Sequence, residues 1–348
     1  MKKGFALVMA SMMALSLTAC GGNGSSATTA ADTSAADTKA EGTTAAAPAD
    51  KIGLAGSGKE LIFTTGGDQG TYYGFGSVLA GQISDMTDTT VTAIVGKGSK
   101  GNIEAMDAGD AQLGFVQSDV MAYAYNGTNL FDGAKVDGFS TVAALYMEQV
   151  QIVTLNPDIK TVADLKGKTV SVGDSGSGVY FNALDCLGAY GLTIDDITPT
   201  YQSFGDSVEA MQDGKIDAAF IVAGAPTTAV TSLAATRKVY LVELDDEHID
   251  KLIEASPYYS KYTIAKDAYG LDADATTVAV GAVVVARDDA DENDIYNVVA
   301  GIYDSIDTLG HDKKNELDLD FAASVTAVPY HKGAAKYFAE KGLTVPTK

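Results

Sequence analysis

Two stretches of this chain, 105 residues apart, repeat each other with every match at the same offset, which points to a pair of related α/β halves. Ile103-Glu104-Ala105-Met106 runs through Gly109 to Phe115-Val116, and Val208-Glu209-Ala210-Met211 runs through Gly214 to Phe220-Ile221. Upstream, Gly70-Thr71-Tyr72-Tyr73 follows Gly67-Asp68, as Gly178-Val179-Tyr180-Phe181 follows Gly173-Asp174. Each unit reads as strand, glycine turn, helix, then a second helix ending in glycine and a strand. Packing alone makes α/β units look alike, but two matches in one order favour duplication or a shared plan. Two lobes of one plan leave a cleft between them, and such clefts hold small ligands.

Lys2 and Lys3 precede an apolar run from Phe5 to Leu17, followed by Thr18-Ala19-Cys20. A charged start, a short apolar core and small residues before a cut read as a secretory leader, residues 1–19, rather than a membrane span. Cysteine at the cut resembles the bacterial lipobox, in which the thiol is acylated; the alternative is an ordinary leader with an incidental cysteine. The reading places the protein outside the cytoplasm, held to the membrane by lipid on Cys20. The Ser/Thr/Ala-rich tract over 20–58 has almost no large apolar residues and reads as a flexible tether outside the fold.

Removing residues 1–19, which hold two lysines and no acid, takes the net charge from −22 to −24. Such acidity argues against nucleic acid, whose phosphates need Lys and Arg, and its commoner meaning is solubility. Cys186 is the one cysteine besides Cys20, so no disulfide closes within the mature chain. Its helical spacing with Val179, Ala183 and Tyr190 reads as a buried small apolar residue.

Strand and helix alternate from Leu61 onward, which predicts mostly parallel sheets with helices on both faces. Thr141–Leu155 and Thr276–Ala286 are apolar runs longer than one lobe needs, and they read as strands crossing between lobes and as hinges. Helix starts are expected at Tyr72, Asn102, Ser118 (capped by its own serine), Val179, Asp206 and Pro226. Later helices are expected over Asp291–Leu309 and Gly333–Lys341. The lobes are then 59–146 plus 286–348, and 147–285. Lys313 reads as a plain surface lysine.

Apparent catalytic motifs fail. Gly173-Asp174-Ser175-Gly176 recurs in chymotrypsin-like proteases, but His248, His311 and His331 all lie downstream of it, where that fold needs one upstream. Gly96, Gly98 and Gly101 match GxGxxG, yet in the second βα unit and without an echo in the other half. The glycine spacing stays a minor alternative as a dinucleotide turn, while three scattered histidines form no metal cluster and no cofactor is expected. Nothing joins a nucleophile to a base, so the chain does not read as an enzyme.

Binding chemistry remains. The turns Gly66–Thr71, Gly96–Ser99 and Gly173–Gly178 each link a strand to a helix start. Glycine lets a ligand approach the backbone amides, and a helix N-terminus adds free N–H groups and partial positive charge, which suits a carboxylate. Thr71, Ser99, Ser118, Ser175 and Ser177 add hydroxyls there, either as ligand contacts or as helix caps. Tyr72 and Tyr73 point about 100° apart on a helix, so one enters the core while the other faces the cleft. Arg237 and Arg287 are the sole arginines and neither adjoins a glycine turn.

The segments TTGGDQGTYYGFG (Thr64–Gly76), LGFVQSDV (Leu113–Val120), DLKGKTVSVGDSGSG (Asp164–Gly178), DGKIDAAFIVAGAPT (Asp213–Thr227) and VPYHKGAAKYFAEKG (Val328–Gly342) resemble the TAXI family, the extracytoplasmic solute receptors of TRAP transporters. The resemblance implies an α/β type II periplasmic-binding-protein fold: two similar lobes with mostly parallel sheets joined by strand crossovers. It implies capture of a small carboxylate-bearing ligand, a glutamate-like amino acid or organic anion, and delivery to membrane permease subunits. A ligand-sensing lipoprotein with a signalling partner is the alternative. Carried over, the ligand contacts are Gly67, Gln69, Thr71, Tyr72, Tyr73, Ser99, Gln117, Ser118, Ser175, Ser177, Val179, Gly224, Ala225 and Pro226. Val179 stands where the family often has threonine, and Lys97 and Lys100 make their loop more basic than usual.

Overall fold

The computed structural model describes residues 51–348, the side chain of Leu130 excepted. The expected leader, Cys20 and the tether up to residue 50 lie outside the described residues.

The echoed halves fold alike. The first runs β1 (Glu60–Thr64), α1 (Thr71–Met86), β2 (Thr90–Ile94), α2 (Ser99–Ala108), β3 (Leu113–Gln117) and α3 (Ser118–Asn126). After the long β4 (Phe139–Thr154), the second runs β5 (Thr169–Ser171), α4 (Gly178–Ala189), β6 (Thr198–Thr200), α5 (Phe204–Gln212), β7 (Ala218–Ala223) and α6 (Thr228–Ala234). In the first, β1 lies between β2 and β3; in the second, β5 lies between β6 and β7, and all four pairings are parallel. Ile103 and Met106, like Val208 and Met211, thus lie on the inner faces of the corresponding helices α2 and α5.

Then follow β8 (Tyr240–Val242), α7 (Asp246–Ala255), β9 (Ser260–Ile264), the long β10 (Ala275–Arg287), α8 (Glu292–Tyr303), α9 (Leu319–Ala322) and α10 (Lys332–Glu340). No element was expected between Tyr240 and Ile264, where short strands flank a charged helix and periodicity is weak. The helix expected over Asp291–Leu309 stops at Tyr303.

β4 and β10 pair antiparallel from Phe139–Arg287 to Gln149–Ala279. Beyond that point β4 continues between β7 and β8, while the start of β10 pairs with β9. At their other ends β10 pairs with β3. Both strands therefore run from one half of the sheet into the other. They are almost continuously apolar because helices cover both faces. On the first half, α1, α8 and α10 bury Phe75, Leu79, Ile83, Val299 and Phe338 on one face, and α2 and α3 bury Ile103, Met106 and Met121 on the other. On the second half, α4 and α7 bury Ala183, Leu187 and Leu252, and α5 and α6 bury Met211, Val230 and Leu233. Cys186 lies fully buried in that core, as its spacing indicated, and burial pushes its thiol pKa up.

Residues 52–57, expected to belong to the tether, pack against the body. The Ile52 N–H donates to the Met86 carbonyl at 2.8 Å, at the C-terminal end of α1. Leu54 N–H donates to Asn297 Oδ1 at 2.7 Å, and Asn297 Nδ2 donates to the Leu54 carbonyl at 2.8 Å and to Thr89 Oγ1 at 2.9 Å. Asp88, Asn293 and Asp294 add bonds to Gly56, Ala55 and Ser57, so contacts from distant parts of the chain dock a segment whose composition looks unstructured. Because losing a buried partner costs about 1–3 kcal/mol, Asn297→Ala should lower unfolding free energy in urea by that order and speed proteolysis ahead of residue 58. Unaltered cleavage there would show that Asn297 does not hold the segment.

Candidate functional site

The carboxyl ends of β1, β3, β5 and β7 point at one recess, where the two halves meet. It holds about 630 Å³ of empty space, part of it continuous with solvent. Its wall brings together Gly67, Gln69, Thr71, Tyr72, Ser99, Gln117, Ser177 and Val179 of the expected residues. Asp68, Lys97, Glu148, Asp174, Ser203, Phe204, Val222 and Ala223 complete most of it.

The amino ends of α1, α2 and α4 all abut the recess, and no side chain caps any of the three. The hydroxyls therefore do not serve as caps; the Gly101 N–H in the first turn of α2 is taken by the Gly176 carbonyl, and no side chain takes the other first-turn N–H groups. Gln117 Oε1 and Ser177 Oγ, on residues 2% and 7% exposed, have no hydrogen-bond partner among the described residues. The Gln117 side chain is held by a buried relay. Its Nε2 donates to Asn182 Oδ1 at 2.9 Å, and Asn182 Nδ2 donates to Asp119 Oδ2 at 3.0 Å and to Tyr259 Oη at 2.8 Å.

The glycines bring the two halves into contact. Gly98 has φ +83°, and a Cβ there would sit 3.3 Å from the Ser177 backbone; at Gly178 a Cβ would come within 1.6 Å of Gln117 Oε1. The Gly101 N–H donates to the Gly176 carbonyl at 2.9 Å. Of the GxGxxG glycines, Gly98 allows close passage over the Ser177 loop, while Gly96 packs against Thr64, Thr65 and Asn102 and Gly101 against Lys97 within its own half.

Tyr72 lines the recess and Tyr73 does not. The Tyr72 ring stacks on Phe115 with centroids 4.5 Å apart, and its hydroxyl donates to Glu148 Oε2 at 2.9 Å. Glu148 is 2% exposed and has no ion-pair partner among the described residues. Burial raises its carboxyl pKa to about 8, with Asp119 adding to the effect, and burial likewise raises Asp119 to about 7. Glu148 was missed in the sequence, although it is the one carboxylate inside the apolar run Thr141–Leu155.

Four expectations need correction. Ser118 faces β10 and accepts the Gly281 N–H at 3.0 Å, so it neither caps α3 nor lines the recess. Ser175 is exposed on its loop. Gly224, Ala225 and Pro226 lie just past the wall, where the Gly224 carbonyl accepts from Thr71 Oγ1 at 2.9 Å. Lys313 is 4% exposed, not a surface residue; its Nζ donates to the Ala225 carbonyl at 3.0 Å and sits 5.2 Å from the Tyr146 ring centroid. Lys100 turns away to pair with Glu104, and Arg287 binds Asp289 and the Met106 carbonyl outside the recess.

Paired βαβ halves bridged by two long strands, with a recess at their strand ends, define the fold of periplasmic binding proteins. The sequence matches the model of the NMT1-like family over residues 63–342, and the chain belongs to that family. A solved structure described as a periplasmic transporter has a TM-score of 0.50 at 15% identity, covering 82% of this chain and 93% of that one. The alkanesulfonate-binding protein of Xanthomonas axonopodis pv. citri, solved with MOPS bound, gives 0.47 at 17% identity over 80% and 83% of the two chains. A putative aliphatic sulfonates-binding protein of Escherichia coli (strain K12) is 43% identical over 70 residues, which are 20% of this chain and 22% of that protein. The match therefore spans about a fifth of that relative's length.

Asp119 makes the site's electrostatics measurable. The unfolded chain loses this proton near its ordinary value of 3.8, while the folded protein keeps it to about 7. Its contribution to stability is full below the unfolded value and is lost as pH rises through the folded one. His311 and His331, lowered by burial, act in the opposite sense, so the informative quantity is the difference between variant and wild type. Asp119→Asn should gain unfolding free energy relative to wild type between pH 5 and 8.5, on the order of a few kcal/mol. Parallel stability curves would contradict the buried proton.

Proposed function

We propose that this protein is an extracytoplasmic solute-binding receptor that captures a small solute by its oxyanion group and hands it to a membrane permease. The observation that carries this is the convergence of three uncapped helix amino ends on one recess beside the unpartnered Ser177 hydroxyl. Aligned N–H groups and helix dipoles attract an anion locally, which a chain of net charge −22 does not do as a whole. The sulfonate named for the E. coli relative is such a group. The finer reading, a carboxylate-bearing ligand and a TRAP-type permease, rests on the motif resemblance to TAXI receptors.

The lobes in this reading are 59–146 with 286–348, and 147–285, and they close over the ligand about β4 and β10. The bonds Gly101–Gly176, Gln117–Asn182 and Thr71–Gly224 then belong to the closed state. Glutamate, glutamine, succinate and ethanesulfonate should be titrated by calorimetry into protein refolded free of carried-over ligand. At least one should bind and reduce the radius of gyration in small-angle scattering. Loss of a hydrogen bond to a charged group, worth roughly 1.5–3 kcal/mol, should weaken binding about tenfold to a hundredfold in Ser177→Ala. Gln117→Ala should also weaken it, and the surface control Lys166→Ala should not. Variants that all match the control would place the site elsewhere.

Lipid attachment at Cys20 belongs to the same proposal. Cys20→Ala should leave the membrane fraction and appear in the soluble one; a variant that still sediments with membranes would remove the anchor.

A further inference from the structure

We propose that Glu148 is a proton-holding residue of the binding site, so that the receptor takes up an anionic ligand together with a proton. The inference rests on the oxyanion reading above and adds what that reading leaves open, the charge balance at the floor of the recess.

The geometry carries it. Glu148 sits on β4 at the recess floor, with its neighbours supplied by four other elements. Tyr72 on α1 donates to one carboxyl oxygen, Gln117 on β3 lies beside it, and Asp119 on α3 adds a second buried acid nearby. Tyr146, two residues away on β4, presents another buried hydroxyl with no partner among the described residues. Lys313, in the 312–316 turn, is a cation acting on Glu148 from the body, and it is committed to Glu316 and the Ala225 carbonyl. Across the recess stand Asp68 and Asp174 with a single cation, Lys97, which is exposed at the rim. An oxyanion entering between the helix ends therefore meets a carboxyl group that forms no ion pair among the described residues.

Two anions side by side in a poorly solvated recess repel strongly, and that repulsion disappears when one of them is protonated. The helix ends stabilise the ligand's charge and have no proton to give up. The carboxyl group can accept one, and as an acid it turns from a repelling acceptor into a hydrogen-bond donor. Ligand binding and protonation of Glu148 then favour each other reciprocally. Burial in this conformation raises the group to about 8 before any charge on a ligand is added. The linkage therefore emerges on the alkaline side of that value.

The test has two arms. Infrared spectroscopy of the ligand-free protein at pH 7 should show the carbonyl stretch of a protonated buried carboxyl group that is lost in Glu148→Gln and kept in Asp119→Asn. Its absence overturns the proposal without any ligand. In the second arm, ethanesulfonate and succinate, both fully ionised at pH 8.5, are titrated by calorimetry in buffers of different ionisation enthalpy. More than half a proton should be taken up per bound anion, and affinity should fall by about tenfold per pH unit above 8. Glu148→Gln should exchange no proton and show a flat affinity from pH 7 to 9.5. Binding without proton uptake, or equal uptake in Glu148→Gln, overturns the proposal while leaving the receptor reading intact. Proton release on binding, or failure of both anions to bind despite the infrared band, overturns the oxyanion reading and the proposal with it.

Discussion

The antiparallel pairing of β4 with β10 is the constraint on which the rest depends. Each of the two βαβ halves has a central strand, β1 or β5, flanked by parallel neighbours, and each could in principle end there with an open edge. The long pair closes both edges at once, β10 against β3 and β4 against β7. Backbone hydrogen bonding thereby fixes where the strand ends of one half face those of the other. The recess follows from that placement, because a parallel strand followed by a helix leaves its glycine turn at the carboxyl end.

Much of the fold could be read from the residues because packing wrote it in repeated form. Ile103–Met106 and Val208–Met211 must bury the same helix face under the same strand, so they kept the same spacing. Leu113–Gln117 is bounded by the sequence to the residue, since a fully buried strand and a serine-led helix meet there. Pattern failed where contact came from far along the chain. Leu54 is isolated in its own neighbourhood and is held by Asn297, 243 positions away. Lys313 sits in a charged run that looks solvated, yet its side chain passes Gly224, where a Cβ would meet Lys313 Cε at 2.5 Å. No local signal carries such a pairing.

The site was legible in its loops and illegible in its floor. Glycine turns before helices announce themselves, and eight of the expected residues line the recess. Glu148 and Phe204 come from a strand interior and a helix start on the far half, where burial looks like ordinary core. Ser118 misled because a serine at a helix start is a cap by habit; here β10 passes close enough to take its hydroxyl instead.

The docked segment 52–57 lies at the end of the body away from the recess. It joins the molecule beside Met86 and Thr87, at one end of α1, while the recess lies at the other. A helix of 16 residues spans about 24 Å, so the chain enters the body on the side opposite the mouth. Residues 52–57 therefore meet the body about one helix length from the recess, and their docking leaves its mouth free of that segment.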